Sequence, residues 1–220
     1  LLQTTADHAS DVMRTVRASR AEVARRGQAI GPGNDIVVTV RARNTKQKLT
    51  MIEPASGALS DIEVDWEDTL AAPAQLTRQR PFAYLLPPSF ADIARRLALS
   101  GIEVRKLRGA TDIEVESFQV LDRRVGAKFV EGFVRHSVST EVVSKRVKFP
   151  AGTFIFTMAQ ANANLLVAAL EPESPSSFVA LGLLPVDKQG THPSIGASSE
   201  VPVYRLLQPQ SLDYLTTALP

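Results

Sequence analysis

The sequence predicts an α+β protein in which a β-rich, mixed or antiparallel sheet carries about three helices. Two observations predict this class. Several segments alternate apolar and polar residues with the period of two of a strand, and other segments repeat apolar residues every three to four positions, as helices do. The composition is that of a folded protein, because 44% of the 220 residues are hydrophobic and 22% are charged. A chain of this length buries a sizeable core, as one large domain or two small ones.

The first predicted element is an amphipathic helix over residues 5–26. Its apolar positions recur at three- and four-residue steps and lie on one face: Ala9, Val12, Met13, Val16 and Val23. Three basic residues lie on the other side: Arg14, Arg17 and Arg25. We expect a surface helix that packs on a domain through its apolar face and keeps its basic face in water. The alternative is a helix that lies on a membrane surface.

Residues 36–43, 48–52 and 61–67 follow as predicted strands. The third of these alternates strictly, so that Ile62, Val64 and Trp66 share one face while four acidic residues share the other. The acidic face consists of Asp61, Glu63, Asp65 and Glu67. Neighbours on one face of a strand are roughly 6.6 Å apart, too far for tight cation coordination. We therefore expect cross-strand pairing with the basic segment that contains Arg41, Arg43, Lys46 and Lys48, and a cation or acid/base site is the alternative.

An Ala/Pro/Gln/Thr connection over residues 68–80 is the best boundary candidate within the chain. A boundary in this connection would divide the chain into two parts. Residues 1–70 combine a helix with strands that link to or pack on an upstream domain, and residues 71–220 form a β-rich domain.

The second part begins with a compact strand, helix and strand. An extended run over residues 80–87 precedes a helix over residues 88–99, which Gly101 caps, and residues 102–107 resume a strand. The buried face of the helix carries Phe90, Ile93, Ala94 and Leu97. Further strands are predicted at residues 111–120, 129–149, 153–158 and 201–207, with a short helix at 162–170 and a polar loop at 186–200.

Charge and composition disfavour several classes of partner. The formal net charge is only +2 and 6% of residues are aromatic, which disfavours a basic, aromatic nucleic-acid surface. The apolar runs are far shorter than the roughly 20 residues of a bilayer span, and no signal peptide is apparent. We expect neither nucleic acid nor a membrane as a partner. Without cysteine, the chain has no disulfides or thiolate metal ligands.

The search for catalytic residues begins with three histidines, His8, His136 and His192. None has a second histidine or a carboxylate at helical ligand spacing, whereas a zinc hydrolase needs three ligands and a base. His136 shares a strand face with Val134 and Val138. We interpret it as a structural histidine, with a ligand or proton carrier as the alternative.

Other motifs are incomplete as well. Ser56-Gly57 and Ser100-Gly101 do not complete Gly-x-Ser-x-Gly, and Ser194 and Ser198 have no evident base. The turn from Gly31 to Asn34 lacks the Gly-Lys ending of a phosphate loop. The residues therefore predict no catalytic, cofactor-binding or metal-ligating side chain in this chain, and no enzyme activity of the chain alone.

The segment from Arg80 onward resembles the region that follows the catalytic domain in bacterial M14-type zinc carboxypeptidases. The closest similarity lies in residues 165–178, where Leu170-Glu171-Pro172-Glu173-Ser174 resembles the family's Leu-Leu-Glu-Pro-Glu-Ser. Four other short sequence motifs occur along the chain in the same order as in the family. They are Arg80-Pro81-Phe82-Ala83-Tyr84 with Pro87; Ile93 and Leu97 followed by Ser100-Gly101-Ile102-Glu103-Val104; Glu114-Val115-Glu116; and Phe149-Pro150-Ala151-Gly152-Thr153. Two prolines after a helix also make a rigid stop, and we expect the acidic residues around them to be solvated.

This resemblance implies a β-rich, non-catalytic accessory domain of a peptidase that removes C-terminal residues, often an exported one. The family's His-x-x-Glu, distant His and catalytic Glu have no counterpart here, so the zinc site is expected upstream of Leu1. The implied partners are the upstream peptidase domain and, through it, a peptide substrate. Two alternatives stay open: a stand-alone module that binds peptide, glycan or cell wall, and an enzyme with an unrecognised site.

Overall fold

The computed structural model of the protein describes residues 2–68, 72–130, 132–187 and 199–216. The chain forms two compact units. One consists of Leu1–Ile36 together with Arg78–Pro220, and the other consists of Val37–Thr77. The boundary after Thr77 falls within the 68–80 segment where the sequence indicates a boundary. The division into domains 1–70 and 71–220 stays a prediction.

Two helices open the chain, α1 (Leu2–Asp7) and α2 (Ala9–Gln28). The single helix expected over residues 5–26 is therefore divided at His8, whose ψ of 16° departs from helical geometry. The expected burial of its apolar face is also wrong for most of its length, because Val12, Met13 and Val16 are exposed. Amphipathic spacing reports which residues share a side of a helix and does not report what covers that side.

The unit formed by Val37–Thr77 is built on a two-stranded antiparallel ribbon of β2 (Arg43–Ile52) and β3 (Leu59–Asp68). Its register places Lys46 opposite Asp65 and Lys48 opposite Glu63, and the first pair makes a 2.6 Å ion pair. The predicted cross-strand pairing of the acidic face is thus confirmed. A second two-stranded ladder pairs β1 (Asp35–Val40) with β4 (Ala74–Gln79), so part of the predicted connection is a strand.

The larger unit contains a seven-stranded sheet. Its strands are β5 (Ala83–Leu86), β6 (Arg105–Leu107), β7 (Thr111–Val130), β8 (Phe133–Phe149), β9 (Phe154–Thr157), β10 (Glu200–Leu206) and β11 (Tyr214–Thr216). Their spatial order is β11-β6-β9-β5-β10-β7-β8. Every neighbouring pair in this sheet is antiparallel. The predicted α+β class with a β-rich sheet is confirmed, and this sheet is antiparallel rather than mixed.

Strand β5 lies in the middle of the sheet, and all four of its residues are buried. Ala83 and Leu85 join an apolar cluster with Ile113, Phe149 and Leu206. Because side chains alternate along a strand, Tyr84 faces the opposite side. A central strand covered on both faces reads as a continuous apolar run, as Ala-Tyr-Leu-Leu does.

Two further helices belong to this unit, α3 (Ala91–Leu99) and α4 (Ala163–Leu170). A 3-10 turn over Pro88–Phe90 precedes α3, which buries Ile93, Ala94 and Leu97 as predicted. Gly101 has φ of 82°, and the N–H groups of Gly101 and Ile102 bond back to the end of the helix, which confirms the predicted cap. Glu171 caps the C-terminal end of α4, and its extended backbone, with ψ of 119°, stops the helix there.

Candidate functional site

Beside the end of α4 lies a cluster of acidic and basic side chains that we call the charge cluster. It contains two arginines and three glutamates, with a tyrosine and a threonine as hydrogen-bonding neighbours: Arg78, Arg205, Glu116, Glu171, Glu173, Tyr84 and Thr140. Glu171 is 0% exposed and Arg205 is 3% exposed. Carboxylates and guanidinium groups are so rarely this buried that each needs a defined partner.

Arg78, from the end of β4, joins the two glutamates that follow α4. Its Nη1 donates to Oε2 of Glu171 and to Oε2 of Glu173, both at 2.8 Å, and its Nη2 donates to Oε1 of Glu173 at 2.9 Å. The pairing with Glu173 is therefore a two-point contact of the kind that a planar guanidinium favours. The Arg78 guanidinium also lies 5.1 Å from the ring centre of Phe118.

Glu173 is held from a second direction by Thr140 of β8. The Thr140 backbone N–H donates to Oε1 of Glu173 at 2.9 Å, and its hydroxyl donates to the same oxygen at 2.6 Å. Arg78 and Thr140 therefore fix this carboxylate between β4 and β8. Its position is set by residues far from it in sequence rather than by the prolines beside it.

The other carboxylate oxygen of Glu171, Oε1, faces residues of the seven-stranded sheet. The Tyr84 hydroxyl of β5 donates to Oε1 of Glu171 at 2.6 Å. The Nε of Arg205, from β10, lies 3.3 Å from the same oxygen, where charge attraction acts without an aligned hydrogen bond. Arg205 also donates through Nη1 to Oε2 of Glu116 at 2.7 Å and through Nη2 to the Gln79 carbonyl.

These contacts shift three pKa values. Burial alone would raise the pKa of Glu173, but hydrogen bonds from Arg78 and Thr140 outweigh it and hold that pKa below its ordinary value. Burial would likewise lower the pKa of Arg78, and the hydrogen bond to Glu173 with the charges of both glutamates raises it instead. Burial and the Glu171 charge raise the pKa of Tyr84 well above its ordinary range.

The charge cluster acts as a brace, because its contacts join β4, β5, β8 and β10 to the residues that follow α4. Glu171 contacts two arginines and a tyrosine while fully enclosed, so no oxygen of it faces a solvent-open space in which a substrate would bind. The expectation that the acidic residues of Glu-Pro-Glu-Ser-Pro are solvated is wrong. Glu171 and Glu173 turn inward because arginines from β4 and β10 supply counter-charge that no local pattern reveals.

Two of the three histidines lie within the described residues, and they belong to different elements. His8 is exposed at the junction of the first two helices, and His192 lies outside the described residues. His136 lies on β8 opposite Val125, and the Nη2 of Arg123 approaches its Nδ1 to 3.2 Å. Partial burial and the Arg123 charge lower the pKa of His136, which favours the neutral ring.

No group of three or more His, Asp or Glu side chains suited to a metal ion occurs in the described ranges. Ser194 and Ser198 fall outside those ranges, and Ser56 lies in the turn between β2 and β3. In the part of the chain that the structure describes, no helix is both long enough and apolar enough to span a bilayer.

Comparison with known proteins places the chain beside fungal carboxypeptidases. It is 34% identical over 194 residues to Carboxypeptidase 2 of Trichophyton tonsurans, an alignment that covers 88% of this chain and 35% of that protein. Carboxypeptidase 2 of Trichophyton equinum gives the same figures. Probable carboxypeptidase 2 of Arthroderma benhamiae is 34% identical over 172 residues, which cover 78% of this chain and 31% of that protein.

The chain is related to a portion of these carboxypeptidases. It spans about a third of the length of the curated relatives it matches. The resemblance inferred from the residues is confirmed at the level of a carboxypeptidase relation, with fungal rather than bacterial relatives found. No family model matches the sequence. No solved structure matches it either.

Proposed function

We propose that this chain is the non-catalytic accessory portion of an M14-like zinc metallocarboxypeptidase, whose zinc site and catalytic glutamate lie in an upstream catalytic domain. The observation that carries the proposal is the 34% identity to about a third of the length of carboxypeptidases. In this view the charge cluster holds the accessory fold rigid, and the upstream domain binds the peptide and hydrolyses its last peptide bond.

The brace supports this role because it ties together segments that are distant in sequence. Arg78, Thr140, Glu171 and Arg205 come from β4, β8, the end of α4 and β10. One network therefore joins two strands of the seven-stranded sheet to a helix end and to a strand outside that sheet. A rigid sheet provides a fixed surface against which a catalytic domain can pack. Such a surface supports that domain or narrows the path by which peptides reach the cleft.

The test uses the whole polypeptide that contains this chain. We expect it to release C-terminal residues from synthetic peptides, to lose that activity on treatment with a zinc chelator and to recover it when zinc is returned. The matched variant replaces His8, His136 and His192 together with glutamine. We expect this variant to keep its bound zinc and to keep kcat/KM within about two-fold of the parent, because none of the three is a ligand.

Two results would contradict the proposal. A polypeptide that is folded and zinc-loaded but inactive on all peptides would exclude the carboxypeptidase role. Loss of zinc from the triple variant with its circular dichroism unchanged would place the metal site in this chain.

A peptide-binding module remains the second candidate function, because one groove favours it. A cavity of about 420 Å³ lies beside α3 and α4, and its lining includes Leu99, Phe133, Leu165 and Phe178. Apolar lining suits an apolar peptide side chain better than a glycan. Titration calorimetry with apolar peptides, on the parent and on Leu165→Glu, tests this candidate. Saturable binding that the substitution abolishes, in a polypeptide without peptidase activity, would favour the module.

A further inference from the structure

Helix α2 carries an apolar stripe that the described part of the chain leaves uncovered. The stripe consists of Ala9, Val12, Met13 and Val16, and the last three are 45%, 49% and 38% exposed. Their three- and four-residue spacing places them on one side of the helix. Exposed apolar residues scattered singly need no explanation, but four on one side of one helix form a surface.

The same side of α2 is closely packed at its C-terminal end. Gly27 lies eighteen residues after Ala9, about five helical turns, so the two residues face the same way. A Cβ added to Gly27 would lie 1.8 Å from the Met158 carbonyl oxygen, so the helix backbone touches the sheet unit there. The same side of α2 is thus buried at its C-terminal end and exposed to solvent along the stripe.

Two arginines lie next to the stripe. Arg20 follows Val16 by one turn on the same side of the helix, and Arg17 lies at the edge of the basic side that is nearest to Met13. Neither has a carboxylate partner within the described residues, whereas Arg14 and Arg25 pair with Asp11 and Glu22. A second copy of this chain would bring two more arginines into the shared interface, which like-charge repulsion disfavours. The complementary surface is apolar with carboxylates at its rim.

The size of the stripe indicates what kind of partner binds it. From Ala9 to Arg20 the helix is about 18 Å long and about 10 Å wide, so the stripe covers about 200 Å². Stable interfaces between separate proteins bury about 800 Å² on each partner. A surface this small holds a tethered neighbour, whose effective concentration is on the order of millimolar, much better than a free one.

We infer that the α2 stripe is the docking surface for another part of the same polypeptide, which presents an apolar face rimmed by carboxylates. The Trichophyton relatives are long enough to contain a further part that could dock there, because the alignment covers 35% of their length. The inference rests on the proposed function and names the surface through which the accessory portion meets the catalytic domain.

Oxidation of Met13 by hydrogen peroxide tests the inference in the whole polypeptide, with peptide mass spectrometry as the readout. Methionine oxidation follows exposure, so Met13 in a docked stripe should oxidise at least about ten-fold more slowly than in the urea-unfolded protein. Met158, which is 0% exposed, is the buried standard in the same molecule. Val16→Glu should bring the Met13 rate to within about two-fold of the unfolded rate while Met158 stays protected.

The matched control is Ala18→Glu, which adds the same charge to the opposite side of α2 and should leave Met13 protected. Wild-type Met13 that oxidises within about two-fold of its unfolded rate would overturn the inference. Protection that disappears over about a hundred-fold dilution would assign the stripe to a second copy instead, and protection that needs added anionic vesicles would assign it to a membrane. Peptidase activity is assayed on the same sample. An active protein with unprotected Met13 overturns only the docking surface, and an inactive protein with protected Met13 overturns only the proposed function.

Discussion

The hydroxyl of Tyr84 donates a 2.6 Å hydrogen bond to the carboxylate of Glu171, and both residues are 0% exposed. One comes from the central strand β5 and the other from the residue that ends α4. The bond therefore joins the middle of the sheet to the C-terminal end of α4. A buried carboxylate with defined partners is sensitive to the loss of any one of them, which makes the cluster testable.

Replacement of Glu171 by alanine removes the shared partner of Arg78, Arg205 and Tyr84. Because it leaves buried positive charge without its counter-charge, we expect the free energy of unfolding to fall by about 3–5 kcal/mol, measured by urea denaturation. The control is Asp65→Ala, which removes an ion pair whose carboxylate is 86% exposed and should have no measurable effect. Equal effects of the two substitutions would show that the cluster contributes nothing beyond a surface pair.

The tyrosines predict the alkaline limit of stability. The pKa of Tyr84 is raised well above 10.0, and burial with the Glu200 carboxylate raises the pKa of Tyr204 to about 12. Above pH 10 the unfolded chain releases tyrosine protons that the folded chain retains, so stability falls as pH rises. Tyr84 alone contributes a slope of about 1.4 kcal/mol per pH unit.

Urea denaturation at a series of pH values measures this slope for the parent and for Tyr84→Phe. The variant loses the Glu171 hydrogen bond, so we expect it to be less stable by about 1–3 kcal/mol at neutral pH and to show a shallower alkaline decline. Parallel curves for the two proteins above pH 10 would refute a perturbed Tyr84.

At acid pH, the bound carboxylate of Glu173 predicts that the stability difference between the parent and Glu173→Gln depends on pH. Its folded pKa lies below 4.5 because Arg78 and Thr140 bind the ionised form. Its stabilisation is therefore fully present above about pH 4.5 and is lost as pH falls through the folded value. We expect the stability difference between the parent and Glu173→Gln to be largest near neutrality and to shrink on acidification. A difference that stays constant over the acid range would contradict an ionised, bound Glu173.

Gly27 offers a test of the contact between α2 and the sheet unit. In Gly27→Ala the new Cβ would overlap the Met158 carbonyl, so we expect a loss of about 3 kcal/mol or more in the free energy of unfolding. Gly109→Ala is the matched control, because nothing lies within 4 Å of its added Cβ and its φ is not positive. A Gly27→Ala protein as stable as the control would mean that α2 does not rest on Met158.

Much of the fold followed from local patterns. The apolar run of β5, the face of α3 and the cap at Gly101 all agree with the structure, because each is set by residues close together in sequence. The short strands β4 and β11 were missed. Each is only a few residues long and lacks a strong alternation, so its pairing depends on a partner supplied by the rest of the fold.

The sequence did not predict the charge cluster, for a different reason. Glu171 and Glu173 lie on either side of Pro172, with Pro175 close behind and no basic residue nearby, which is typical of a solvated stop after a helix. Their partners, Arg78 and Arg205, come from distant segments that only the completed sheet brings together. Sequence spacing indicates which side chains share a face of one element, and it does not indicate which elements meet.

The position of β10 in the sheet has a consequence for synthesis on the ribosome. It is the strand that connects β5, β9, β6 and β11 to the β7–β8 hairpin, yet it comes after nearly all of them in the chain. A nascent chain that has not reached Glu200 therefore exposes the unpaired edges of β5 and β7, and Arg205 is not yet present to face Glu116 and Glu171. We expect β10 to complete the sheet and Arg205 to pair with both glutamates together, late in synthesis. Until then the emerging polypeptide has open strand edges that favour edge-to-edge association.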